Sequence, residues 1–139
     1  MKLLILNGVN INLIGSREPD IYGDSDYAEL VSLINSTCEE LKVEVEVFQS
    51  NFEGEFIEKI QTANCDYLIL NPGAWSHYSY AIRDALLAVN IEVVEVHLSN
   101  PKLREEFRKF SVIEDICIKT ISGLGFNSYV KAIKFLEKR

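Results

Sequence analysis

The chain predicts an α/β protein built on a parallel sheet. Short apolar runs alternate with segments whose apolar residues recur at helical spacing, and polar turn residues close the runs. Its 139 residues, 47% hydrophobic and 25% charged, fit one soluble domain with one core, spanning residues 1–139. No internal repeat, linker or low-complexity segment interrupts the pattern.

The first strand is read at residues 2–7, a continuous apolar run ending in Asn7-Gly8. A long loop at 8–24 follows, with glycines at 15 and 23. Loops of this length inside a compact domain are often lids or binding loops. Residues 25–41 repeat Leu30, Leu33, Ile34, Thr37 and Leu41 at helical spacing, with Ser25 or Asp26 as the cap and Glu29 near the start. Residues 43–48 alternate Val and Glu before Phe48, which predicts an edge strand with one polar face. Gln49-Ser50-Asn51 is a polar turn, and 53–63 form a helix around Phe56, Ile57 and Ile60. A strand at 66–70 stops at Asn71-Pro72-Gly73, and a helix over 76–89 begins with Ser76, His77 and Ser79. Residues 92–97 are a β-branched strand, 103–110 a short charged helix, 116–122 the last strand and 127–138 the closing helix. Five strands at this spacing suggest a three-layer sandwich in the flavodoxin-like order 2-1-3-4-5.

Composition removes several function classes. The net charge of −7 disfavours nucleic acid or an anionic membrane as a general partner, though local arginines can still hold a small anion. No apolar run approaches the ~20 residues of a membrane span. The N-terminal run is too short for a signal peptide, so the expected location is cytoplasmic. Cys38, Cys65 and Cys117 are widely spaced and form no CxxC pair; they are expected as buried reduced thiols.

In an open parallel sheet a ligand sits beyond the carboxyl ends of the strands, where the strand order reverses. That rule marks the loops after Asn7, Leu70 and Val96, and the polar residues gather there: Asn10, Arg17 and Tyr22; Asn71 and His77; His97 and Ser99. Both histidines of the chain fall at these strand ends. Arg17 and Tyr22 share one loop, and a cation near a phenol lowers its pKa toward that of a usable base. Glu95 and His97 leave the same face of a strand, so the carboxylate can fix the imidazole tautomer, as a general acid requires. The helix start near Ser76 and the backbone of Leu98 and Ser99 offer N–H donors for a carboxylate or hydroxyl. Asp84 lies two helical turns past His77, and Arg108 sits among Arg104, Glu105 and Glu106, which suit surface ion pairs as well.

Competing uses have weaker support. His77, His97, Glu95 and Asp84 have no metal-ligand spacing such as HExxH. Gly8 and Gly15 make no GxGxxG and no Gly-Lys-Ser/Thr follows, so a phosphate loop is disfavoured; Asn71 at the third strand end is no phosphoacceptor acid. A flavodoxin-like module holding FMN or a nucleotide, and a silent relative serving as a partner surface, are the alternatives to an enzyme.

The segments NGVNINLIGSREPDIYG, FQSNFEGEFI, NPGAWSHYSYAIRDAL, EVHLSN, REEFR and GLG resemble, in order and nearly end to end, the type II 3-dehydroquinate dehydratases of the shikimate and quinate pathways. The resemblance implies dehydration of 3-dehydroquinate by anti elimination through an enolate, without metal or cofactor. It implies Tyr22 as the base at C2, with Arg17 stabilising the phenolate and the transition state. It implies His97 as the acid at the C1 hydroxyl, oriented by Glu95, and Asn10 holding a water at the enolate oxygen. Asn71, Leu98 and Ser99 are implied as the carboxylate site, and His77, Asp84 and Arg108 as contacts to ring hydroxyls. A homododecamer, a tetramer of trimers, is implied as well. Val9 stands where the family usually has proline, Tyr78 where a small hydroxyl residue is usual, and Lys109-Phe110 where a more polar, His-containing pair is common.

Overall fold

The computed structural model describes residues 1–16, 20 and 24–139. Its sheet has five parallel strands in the order β2-β1-β3-β4-β5. The strands are β1 (Lys2–Asn7), β2 (Glu44–Gln49), β3 (Tyr67–Asn71), β4 (Glu92–His97) and β5 (Lys119–Ser122). Among the described residues four α-helices flank them: α1 (Tyr27–Glu40), α2 (Glu53–Gln61), α3 (Tyr80–Ala88) and α4 (Asn127–Glu137).

The alternation of side chains along a strand divides the core between two faces. Leu3 and Ile5 face α1 and α4, where Leu30, Ile34, Tyr129 and Ile133 complete one cluster. Leu4 and Leu6 face α2 and α3, where Phe56, Ile60, Ile82 and Leu86 complete the other. The expected single core is therefore two layers with the sheet between them. Burial on both faces explains why β1, β3 and β4 carry nearly unbroken apolar runs. β2 is an edge strand, and Glu44 and Glu46 turn outward from it.

Register brings the polar strand ends together. Asn7 pairs with Gln49 on one side and Asn71 on the other, and His97 pairs with Ser122. All five residues sit at the carboxyl edge of the sheet.

The local differences from the sequence reading have identifiable causes. Asp26, not Ser25, caps α1 by accepting from the Glu29 backbone N–H at 2.8 Å. The helix read over 76–89 is two pieces: a 3-10 segment at Gly73–His77, then α3, whose cap is Ser79 accepting from the Ile82 N–H. This break shifts the helical phase, so the argument that Asp84 shares a face with His77 does not hold. Residues 103–110 form no continuous helix; 3-10 turns at Pro101–Leu103 and Glu106–Arg108 replace it, the first opened by proline and capped by Asn100. The last strand starts at Lys119 rather than 116, because Glu114–Ile116 is a 3-10 turn. α2 ends at Gln61, before the expected residue 63. Cys38 is buried, while Cys65 and Cys117 are only partly so, and all three thiols are free. Among the described residues no helix is long and apolar enough to cross a membrane.

At the switch point the loops after β1 and β3 touch backbone to backbone. The Gly8 N–H donates to the Asn71 carbonyl at 2.8 Å. A Cβ at Gly8 would run into the carbonyl of Pro72, and Gly73, at φ +64°, faces the Val9 carbonyl. Gly8→Ala is expected to cost about 1–3 kcal/mol, as overpacking does. Urea denaturation would check it, and a variant as stable as the parent would show that the two loops can part freely.

Candidate active site

The loops at the carboxyl edge form a cavity that opens to solvent. Asn10, Asn71, His77, His97, Leu98, Ser99 and Arg108 line it. Seven sequence-predicted residues from three separate loops thus meet at one opening. Glu95 lies behind His97, fully buried. Asp84 is exposed on α3 and is not among the lining residues. Arg17 and Tyr22 lie outside the described residues, although Ile11 and Ile14, just before them in sequence, line the cavity wall.

The floor is a buried polar chain. The Tyr129 hydroxyl donates to Asn7 Oδ1 at 2.6 Å and accepts from Asn71 Nδ2 at 2.8 Å. The Gly73 backbone N–H donates to Asn71 Oδ1 at 3.3 Å, so both ends of that amide are assigned. Burial pushes the Tyr129 phenol pKa up, and the hydroxyl stays un-ionised.

One wall depends on a strained backbone position. Asn10 adopts left-handed geometry, φ 66°, a conformation asparagine tolerates better than most residues. Its N–H donates to Asn51 Oδ1 at 2.9 Å, and Gln49 Nε2 donates to the same oxygen at 3.0 Å and to the Gly8 carbonyl at 3.2 Å. Gln49 and Asn51, read from sequence only as a polar turn, are the brackets that hold Asn10. Their signal is the placement of amide side chains at and just beyond a strand end.

The opposite wall carries the histidines. His97 Nε2 donates to Glu95 Oε1 at 2.8 Å; a carboxylate oxygen can only accept, so Nε2 carries the hydrogen. Nδ1 is left as the ring atom for the cavity. His77 Nδ1 donates to the Phe110 carbonyl at 2.9 Å, which leaves its Nε2 as an acceptor. Burial holds the His77 pKa below the usual imidazole value; the Phe110 bond opposes this, and the neighbouring His97 and Arg108 charges reinforce it.

The rim supplies cations. Arg108 Nε donates to Glu105 at 2.7 Å, its guanidinium lies 4.8 Å from the Phe107 ring centroid, and its side chain is 18% exposed. Arg104, only 13% exposed, also lines the cavity, together with Pro101. The sequence reading left Arg104 as a surface ion-pair residue. The 3-10 turns on either side turn it inward, and the helix expected there concealed this. The Glu105 carboxyl stays below its usual pKa range, chiefly through its own backbone N–H and then the Arg108 charge. Among the described residues no three His, Cys, Asp or Glu side chains are grouped to hold a metal ion.

The lowered His77 pKa has a sign that can be checked. Its neutral form is preferred in the fold, so the stability it contributes is present above ~6.5 and is lost as pH falls through the folded pKa. With two histidines in the chain, NMR titration separates them readily. His77 is expected to titrate below the free imidazole; a midpoint at or above ~6.5 would contradict the burial argument.

A family model described as dehydroquinase class II matches residues 1–137. A 3-dehydroquinate dehydratase of Caldicellulosiruptor saccharolyticus is 51% identical over 140 residues, covering 99% of this chain and 97% of the relative. That of Thermotoga maritima is 47% identical, covering 100% of this chain and 96% of the relative. The crystal structure of type II dehydroquinase from Butyrivibrio crossotus superposes with a TM-score of 0.96 at 50% identity, over 98% of this chain and 97% of that one. A cavity at the switch point, a His-Glu pair in its wall and agreement along the whole chain lead to one conclusion: this chain belongs to the class II dehydroquinase family.

Proposed function

We infer that the chain works as its family does: it is a 3-dehydroquinate dehydratase, a hydro-lyase that removes water from 3-dehydroquinate to give 3-dehydroshikimate on the shikimate pathway. The observation that carries the residue roles is the His97–Glu95 pair, which turns one ring nitrogen toward a cavity also lined by Asn71, His77 and Arg108.

The proposed chemistry is an anti elimination. Tyr22 takes the C2 proton as a phenolate favoured by Arg17, and the electron pair moves onto the C3 oxygen as an enolate. A water held by Asn10 stabilises that oxygen. The enolate then collapses to form the C1–C2 double bond. The C1–O bond breaks, and His97 gives its proton to the departing hydroxyl, which leaves as water. Asn71 with the backbone of Leu98 and Ser99 holds the carboxylate; His77, with a free acceptor nitrogen, and Arg108 hold ring hydroxyls. Asp84 keeps its proposed hydroxyl-binding role from the resemblance alone. The route needs no metal or cofactor, since a carbonyl beside C2 already acidifies its proton.

Residues 1–139 are proposed as one domain working in the cytoplasm. We further propose the family's dodecamer, a tetramer of trimers. Exposed Tyr78, Tyr80, Leu103, Phe107 and Phe110 support an assembling surface. Sedimentation equilibrium should give twelve times the 15.8 kDa chain; a stable monomer would remove this part of the proposal.

Turnover is followed by the near-ultraviolet absorbance of the conjugated enone. His97→Ala is expected to lower kcat at least ~10²-fold, a typical general-acid contribution. Arg108→Ala is expected mainly to raise KM, since a hydroxyl contact exists in ground and transition states alike. Tyr22→Phe should bind substrate without turning it over. Arg17→Ala should move the lower limb of the kcat/KM profile to higher pH, because one guanidinium about 4 Å from a phenolate favours it by about 4 kcal/mol at an effective dielectric of 20. A limb that stays in place would separate Arg17 from Tyr22.

A further inference from the structure

A second cavity adjoins the first, sharing His77, His97 and Arg108 with it, and is lined also by Glu95, Ser111, Thr120 and Ser122. Glu95 is fully buried, so the orientation of its carboxylate is set by the few groups that touch it. Oε1 accepts from His97 Nε2 at 2.8 Å and from Ser111 Oγ at 2.7 Å. Among the described residues Oε2 receives a long contact from Thr120 Oγ1, at 3.5 Å, and no other. The short bonds converge on a single oxygen.

The direction of the Ser111 bond is determined. Its Oγ accepts the Ile113 backbone N–H at 3.3 Å, so its own hydrogen is available to Glu95. Ser111 is also held from outside. The Val112 N–H donates to the Ser76 carbonyl at 2.8 Å, Arg83 Nη1 donates to the Val112 carbonyl at 2.8 Å, and the Phe110 carbonyl takes the His77 bond. The hydroxyl is thus anchored on both sides along the chain and aimed at one carboxylate oxygen. A terminal carboxylate torsion is otherwise broad.

We propose that Ser111 is a positioning residue for the dehydration: its hydroxyl, donating to Glu95 Oε1, keeps that oxygen on His97 Nε2 and so leaves Nδ1 as the ring atom that faces substrate, the one that carries the donated proton when the ring is an imidazolium. It acts through Glu95 and His97 and touches no substrate itself. The inference rests on the reading of His97 as the acid. It extends that reading to a residue three places beyond Arg108, on the segment that forms the cavity rim.

Without this hydroxyl the carboxylate can swing toward Thr120, and the ring loses the partner that selects its tautomer. Ser111→Ala is therefore expected to lower kcat about tenfold or more, below the ~10²-fold general-acid effect because the acid itself remains. KM should stay within about threefold, because Arg108 and Asn71 are untouched. In a His97→Ala background the same change should have no further effect on kcat, since the group it positions is gone. Nitrogen-15 spectra should show His97 as the Nε2–H tautomer in the parent and a mixture in Ser111→Ala.

If Ser111→Ala fails to fold, Ser111→Thr and Ser111→Val form a matched pair of equal shape, and only threonine should retain kcat. An unchanged kcat in Ser111→Ala, equal rates for Thr and Val, or losses that multiply in the double variant would each overturn the proposal. If His97→Ala alone keeps its kcat, the acid assignment fails and this inference falls with it. A slow His97→Ala beside an unimpaired Ser111→Ala would refute the inference and leave the acid assignment standing.

Discussion

The Tyr129 hydroxyl is the interaction on which the rest of the site depends. It comes from α4, on one face of the sheet, and holds the last residues of β1 and β3 at once. These are the two strands whose outgoing loops diverge to open the cavity. Asn7 and Asn71 are nearly free of solvent, so an amide there without a partner would cost about 1–3 kcal/mol. The phenol satisfies both with one oxygen. Chain ends that would otherwise compete for water are locked in register, and the Asn71 amide cannot flip, because Gly73 takes its oxygen.

Charge is organised on two length scales. The chain as a whole carries −7, which repels anions at a distance. At physiological salt that field fades within about 8 Å. Among the described residues Arg104 and Arg108 line the cavity, and Glu105, which pairs with each, is not part of the lining. Glu105 remains ionised, so it orients the guanidiniums without entering the cavity. Among the described residues the cavity lining thus carries positive charge although the chain as a whole is acidic.

Much of this was legible in the sequence because parallel sheets impose strong patterns. The apolar runs of β1 and β4 were delimited to the residue, and the two-residue spacing of Glu95 and His97 placed them on one side of a strand. Single-residue periodicity failed where the chain uses 3-10 turns. At 73–77 and 101–108 polar and apolar residues mix at spacings that also suit an α-helix, and only the packing of these turns on one another decides between them. That is why Arg104 was read as facing solvent and Asp84 as sharing a face with His77. Gln49 and Asn51 are legible only as polar residues of a turn, and the hydroxyl roles of Ser111 and Tyr129 not at all, because each acts through a partner at least 16 residues away in sequence, as Ser111 does with Glu95. Arg17 and Tyr22 were legible only as a short motif in a long loop.

The two margins of the sheet set how the protein behaves when crowded. An unpaired strand margin is a template on which another chain can add. Here one margin is β5, only four residues long. The other is β2, where Glu44 is 73% and Glu46 53% exposed, beside Lys2 and Lys59 respectively. A strand approaching β2 would have to strip water from those carboxylates, and one approaching β5 would find too few backbone groups to hold it. Both margins are thus blunted against the addition of a further strand.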